Sequence, residues 1–134
     1  MIVLDENLKS QSIMTAIMAW YPGKVISISI LRTGSLIKDE AIPALLGKLV
    51  RPTFVTINVK DFWKKARPHS AYCIVNVALP KERAHEIPDL LRDLFRLPPF
   101  KTKSARMGKI IRLTWNQIDY YEFDRRIRSY DWPD

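Results

Sequence analysis

Cysteine is almost missing from this chain, with Cys73 alone among 134 residues. A disulfide within one chain is therefore impossible. Cys73 also sits inside the apolar run Ala71-Tyr72-Cys73-Ile74-Val75, so it reads as a buried thiol in a reducing compartment. Glycine is scarce too: four scattered residues leave no glycine-rich loop to cradle a phosphate. The two histidines, His69 and His85, fall in expected loops with no nucleophile at a telling spacing. No zinc-ligand spacing is present, and nucleophilic catalysis finds little support. No stretch approaches the ~18 uninterrupted apolar residues of a membrane span. Acids at positions 5 and 6 stand where a secretory leader would carry its basic and apolar regions. The expectation is a cytoplasmic protein that does not enter a membrane.

The last scarcity is local. Between Asp93 and Asp119 no acid occurs, while Arg96, Lys101, Lys103, Arg106, Lys109 and Arg112 do. The formal net charge is +8, and most of the excess lies beyond residue 62. Such a stretch favours polyanions, most often nucleic acid. Arg96, Lys101, Lys103, Arg106 and Lys109 are accordingly the candidate phosphate contacts. The plainer alternative is a solvated loop in a basic protein.

What the chain does have is a run of short apolar segments. Ile2-Val3-Leu4 reads as a strand, and Ser10-Gln11-Ser12 offers cap hydroxyls to a helix carrying Ile13, Met14, Ile17, Met18 and Trp20. Pro22-Gly23 stops that helix, Val25 to Leu31 alternates as a strand, and Gly34 marks a turn. Asp39 is expected to cap a helix with Ile42, Leu45, Leu46 and Leu49 on its apolar face. Pro43 falls in the first turn, where its missing N–H costs nothing. Strands are expected over 54–59 and 71–79, with a helical turn at 62–65 between them. A helix near Pro88 carries Leu90, Leu91, Leu94 and Phe95, and two strands of a hairpin cover 109–115 and 118–123. Near-continuous apolar strands alternating with helices predict a single-domain α/β three-layer sandwich. Its mostly parallel sheet, of the Rossmann-like kind, would end in a C-terminal β-hairpin. The domain covers residues 1–123, and residues 124–134 form a polar tail that either packs Trp132 or frays.

Three acidic points aim at one sheet edge: Asp5 after the first strand, Asp39-Glu40 at a helix start, and Asp61 after the third strand. Each alone is explained by capping or turn formation. Together they would repel unless a cation sat between them, because neighbouring strand tips lie ~5 Å apart. Oxygen ligands without His or Cys point to Mg²⁺ or Mn²⁺, ions that activate water and stabilise charge on a phosphoryl group.

The segments Val3-Leu4-Asp5-Glu6-Asn7-Leu8, Leu31-Arg32-Thr33-Gly34-Ser35-Leu36 with Asp39-Glu40-Ala41-Ile42, and Val55-Thr56-Ile57-Asn58-Val59-Lys60-Asp61-Phe62 carry a resemblance. In that order the chain resembles the small PIN-like proteins of prokaryotes, relatives of the PIN-domain ribonucleases that include toxins of toxin–antitoxin pairs. The match spans roughly residues 2–79. It implies a Mg²⁺- or Mn²⁺-dependent endoribonuclease with Asp5 as one ligand, Asp39 or Glu40 as a second and Asp61 as a third. RNA is the implied partner, with an antitoxin-type protein or a second copy of the chain as further ones. The family often carries an acid two residues before its Asp-Phe pair, and here that slot is Val59. Asn58 offers only a neutral oxygen beside it. This departure keeps a second reading open, a non-catalytic PIN-like module binding RNA or a partner protein. A phosphoacceptor receiver domain ranks last, since it expects Ser or Thr at the end of the fourth strand, where this chain has Val77-Ala78-Leu79.

Overall fold

Seven short strands make one sheet in a computed structural model that describes residues 1–31 and 38–133. The strands are β1 (Ile2–Leu4), β2 (Val25–Ser27), β3 (Thr53–Thr56), β4 (Cys73–Val77), β5 (Ile110–Leu113), β6 (Ile118–Tyr121) and β7 (Arg128–Tyr130). Their order is β2-β1-β3-β4-β5-β6-β7. The first five run parallel; β6 and β7 are added antiparallel. The expected turn at Gly34 and the Leu31–Leu36 segment of the resemblance lie largely outside the described residues.

Alternation along each strand builds two cores. Ile2, Leu4, Val55, Val75, Val77, Ile111 and Leu113 point to one face. There they meet α1 (Gln11–Met18) through Ile13 and Ile17, and α4 (Ile87–Leu94) through Leu90, Leu91 and Leu94. Val3, Phe54, Ile74 and Ile110 point to the other face. That face is covered by α2 (Ile42–Leu46) through Ile42 and Leu46, and by α3 (Val59–Phe62) through Phe62. The sheet is thus covered by helices on both sides, as buried parallel strands require. A fifth helix, α5 (Lys103–Arg106), leads into β5, and Gly108 takes φ +85 between them, a conformation other residues rarely adopt.

Several boundaries differ from the sequence expectation, each for a local reason. The second strand stops at Ser27 because the Ser27 and Ser29 hydroxyls bond at 2.9 Å and bend the chain into a 3-10 turn. The third stops at Thr56, whose hydroxyl accepts from the Asn58 N–H at 2.9 Å. Val59 and Asp61 therefore fall in α3 rather than at a strand end. Ser10 holds the cap position of α1, but its hydroxyl pairs with Ser12 at 2.8 Å instead of a backbone N–H.

The tail does more than pack a tryptophan. Residues 128–130 pair with β6, and Ser129 donates to Asp119 at 2.8 Å. Trp132 Nε1 donates to the Thr114 carbonyl at 2.9 Å. Among the described residues, no helix is long and apolar enough to cross a membrane.

Candidate functional site

The strand order reverses direction between β1 and β3, because β2 lies to one side of β1 and β3 and β4 to the other. In open α/β sheets a crevice forms beyond the carboxyl ends of the strands at such a point, and ligands bind there. Asp5 follows β1 directly, and Asn58 and Asp61 follow β3. Asp39 arrives from the 3-10 turn Asp39–Ala41 that precedes α2.

Of the three acids, only Asp5 behaves as a cap. Its Oδ1 accepts from the Glu6 N–H at 2.8 Å, and its Oδ2 accepts from the buried Thr56 hydroxyl at 2.6 Å. Thr56 thereby locks the tips of β1 and β3 together. Burial pushes the Asp5 carboxyl above its ordinary range, while the Thr56 and Glu6 donors oppose that rise.

Asp39 was expected to cap its helix and does not. Lys38 holds the cap position of the 3-10 turn, and no side chain caps either it or α2. The Asp39 carboxylate instead accepts from Asn58 Nδ2 at 2.9 Å, and the same amide donates to Asp61 Oδ2 at 2.9 Å. Asn58 bridges the two acids as a donor, so its expected role as an oxygen ligand is not the arrangement seen. Lys65 reaches Asp61 Oδ1 at 3.4 Å across one helical turn. Asp39 is pushed up to about 6 by burial, then by the neighbouring Asp61 and Asp5 and by Glu40. Asp61 moves the other way, held down by the Asn58 amide, by Asp39 and by Lys65. The pair therefore favours a single shared proton or a shared cation. Glu40 is exposed beside them.

Below this pair opens a cavity of about 520 Å³. Its apolar lining comes from Pro43, Phe62, Ala66, Tyr72 and Ile74. Its lining also includes the acids Asp39, Glu40 and Asp61 together with Lys65, Arg67 and His69. The His69 and Tyr72 rings stack with centroids 5.5 Å apart and an interplanar angle of 18°. Sequence reasoning gave no site role to Lys65, Arg67, His69 or Tyr72, and set His69 aside as a loop histidine. The run Lys64-Lys65-Ala66-Arg67-Pro68-His69 was the available signal.

No protein-family description, curated protein or solved structure matches this chain.

The long basic stretch looks different in three dimensions. The two acids that bracket it reach back into it: Asp93 pairs with Arg96 at 3.7 Å, and Asp119 with Arg112 at 2.9 Å. Burial works against the Asp119 charge, but Arg112, Ser129 and Gln117 outweigh it and hold the carboxyl below its usual range. Lys109 Nζ donates to the Ala105 carbonyl at 2.5 Å. Arg106, expected to contact phosphates from the surface, is 3% exposed. It bonds Thr53 Oγ1, the Phe100 carbonyl and the Lys101 carbonyl, with its guanidinium 3.9 Å from the centre of the Phe95 ring. Among these candidates Lys101 and Lys103 are exposed without an ion pair within the described residues, and Lys103 stands beside the Met1 amino group. Lys101, Lys103 and Arg106 lie at the opposite sheet edge from Asp5, Asp39 and Asp61, whereas Arg112 is in register with Asn76 and Thr56, towards the carboxyl edge. Thr53 begins β3 where Thr56 ends it, three residues or about 10 Å away.

Fit to a divalent ion rests on the donor set. Among the described residues no three His, Cys, Asp or Glu side chains form a group that could hold a metal by themselves. Mg²⁺, however, is commonly held by one or two carboxylates, with waters and substrate phosphates completing its shell. The Asp39 and Asp61 pair fits that role, with Asp5 as negative charge behind it rather than as a free ligand.

Proposed function

We propose that this chain is a PIN-like, metal-dependent endoribonuclease acting at the carboxyl edge of its sheet. The observation that carries the reading is the Asp39–Asn58–Asp61 bridge beside the strand-order reversal, where burial and then the neighbouring acids push Asp39 up to about 6. Capping would explain acids at helix starts, and neither Asp39 nor Asp61 caps a helix. Asp39 and Asp61 would hold one Mg²⁺ or Mn²⁺, with Glu40 near enough to extend the shell. When bound, the ion supplies charge stabilisation at a phosphoryl group and lowers the pKa of a bound water. The chain's own residues do the rest. Thr56 fixes Asp5 so that its charge stays close to Asp39. Lys65, which pairs with Asp61, and Arg67 supply positive charge in the cavity wall for phosphates, and its apolar lining shields them from water. RNA is the proposed substrate. If the protein is a toxin, a protein inhibitor would cover the same edge.

The second reading, a non-catalytic PIN-like module, is favoured by a specific feature. The slot that often holds an acid in this family is Val59, which packs against the apolar cluster under α2 and α3. An acid there would meet the core instead of joining Asp39 and Asp61.

A gel assay over a Mn²⁺ and Mg²⁺ titration separates the two. Cleavage of single-stranded RNA by the wild type, lost in Asp61→Asn and accompanied by a metal-dependent rise in melting temperature, supports the enzyme. An inert wild type that still retains RNA supports the binding module.

A further inference from the structure

A second cavity, of about 380 Å³, opens at the amino edge of the sheet, away from the acids. Its walls come from the chain entering β2 (Trp20, Tyr21, Pro22, Gly23), from Phe95 after α4, and from Lys101, Lys103 and Arg106 before β5. Not one of these lining residues is an acid.

Arg106 is the unusual member. A buried guanidinium is normally paired with a carboxylate, because desolvating an unpaired charge is costly. Arg106 has no ion pair among the described residues, and its Nε and Nη1 donate only to neutral oxygens. Its Nη2 donates to nothing among the described residues, although a guanidinium carries five N–H groups. Lys101 and Lys103 add two ammonium groups without an acid partner among the described residues, Lys103 standing beside the Met1 amino group. Trp20 is partly exposed, yet its Nε1 is buried without an acceptor. Trp20, Tyr21 and Phe95 meet with ring centroids 5.9 to 6.3 Å apart, which fixes the aromatic wall. At Gly23 an added Cβ would stand 2.7 Å from the Tyr21 ring, so the loop lies against that wall in a way other residues would disturb. Three cations, a spare Arg106 donor and an aromatic wall match an anion of charge near −2 attached to a flat group. The volume lies within the ~300–1,000 Å³ of small-molecule sites.

We propose that this pocket binds a phosphorylated nucleotide, free or as the phosphate-bearing end of a strand. Its phosphate meets Arg106, Lys101 and Lys103, and its base lies on Trp20. The site is separate from the acidic edge and does not depend on cleavage there.

The test is isothermal titration of the full chain with a nucleoside 5′-monophosphate, the parent nucleoside, inorganic phosphate, and one oligonucleotide with and without a 5′-phosphate. The monophosphate should bind about 10-fold or more tightly than the nucleoside or phosphate alone. The exposed pair Lys101→Ala with Lys103→Ala should weaken it by about 10-fold at an unchanged urea midpoint, because each charge-assisted contact is lost without touching the core. Trp20→Leu should also weaken it. A matched control, Lys9→Ala with Lys60→Ala, should bind as the wild type does, and so should Asp61→Asn, which separates this site from the nuclease reading. Equal binding of the mononucleotide and the phosphorylated strand supports a free nucleotide, and preference for the phosphorylated strand supports a strand end. No binding at millimolar ligand, no preference for the phosphate, or full affinity in the double lysine variant would overturn the proposal.

Discussion

The two edges of one sheet handle charge in opposite ways. At the carboxyl edge, Asp39 and Asp61 stand half-exposed, bridged by one amide and repelling each other, with Asp5 close behind. At the amino edge, Arg106 is buried among neutral acceptors and holds three segments in place. The acids are under-neutralised and reachable, which is what a site for a cation needs. The arginine is largely satisfied and serves the fold first, offering a ligand only the donors it has left. A charge is therefore informative about binding only after its burial and its partners are known.

The comparison breaks most sharply at Arg106. Arg106→Ala removes a guanidinium that ties Thr53 to the Phe100 and Lys101 carbonyls, and should cost about 3 kcal/mol, read from the urea midpoint. Arg106→Met, which keeps the stem over Phe95, should recover part of that loss. A variant as stable as the wild type would return Arg106 to the surface role its sequence suggested.

At the other edge the expectation is the reverse, a large effect on activity with little on stability. Asp61→Asn should lower any metal-dependent cleavage by about 100-fold while the melting temperature without metal barely changes. A large stability loss with retained cleavage would make Asp61 a structural residue.

Thr56→Val should cost about 2 kcal/mol, since it strands the buried Asp5 Oδ2 without its donor. The loss should shrink in acid, where a protonated Asp5 no longer presents an unpaired charge. Denaturation at two pH values would show it.

The smallest effect concerns Asp39. Its folded value of about 6 lies above the ordinary 3.8, so the stability it contributes is fully present below pH ~4 and is lost as pH rises through 6. Asp39→Asn should therefore flatten stability against pH between 4 and 7. Saturating Mg²⁺ should flatten the wild type in the same way. An unchanged pH profile in the variant would mean the acids at this edge are independent.

Much of this architecture was readable in the chain. The apolar run Ile2–Leu4 could only be a buried strand, and Pro43 could sit in a helix only at its first turn, as it does. The placement of Asp5 at a strand tip followed from the abrupt end of that run. Asp61 was harder, because Phe54 to Val59 looks like one strand. It breaks at Thr56, where a hydroxyl is drawn both to Asp5 and to the Asn58 N–H, and no strand propensity encodes that choice. The seventh strand was missed because Arg128–Tyr130 is polar, and its pairing comes from β6 and Asp119 rather than from its own pattern.

The sequence by itself determined the strands of the parallel sheet, the helices on its faces and the approach of three acids to one edge, because hydrophobic periodicity and chain direction are local properties. The tertiary structure decided which charges remain free. Asp93 and Asp119 neutralise arginines in a stretch that contains no acid, and Arg106 vanishes inward beside Thr53, 53 residues away. Ion pairing and burial act through space at a few ångströms, so the order of charges along the chain does not fix them.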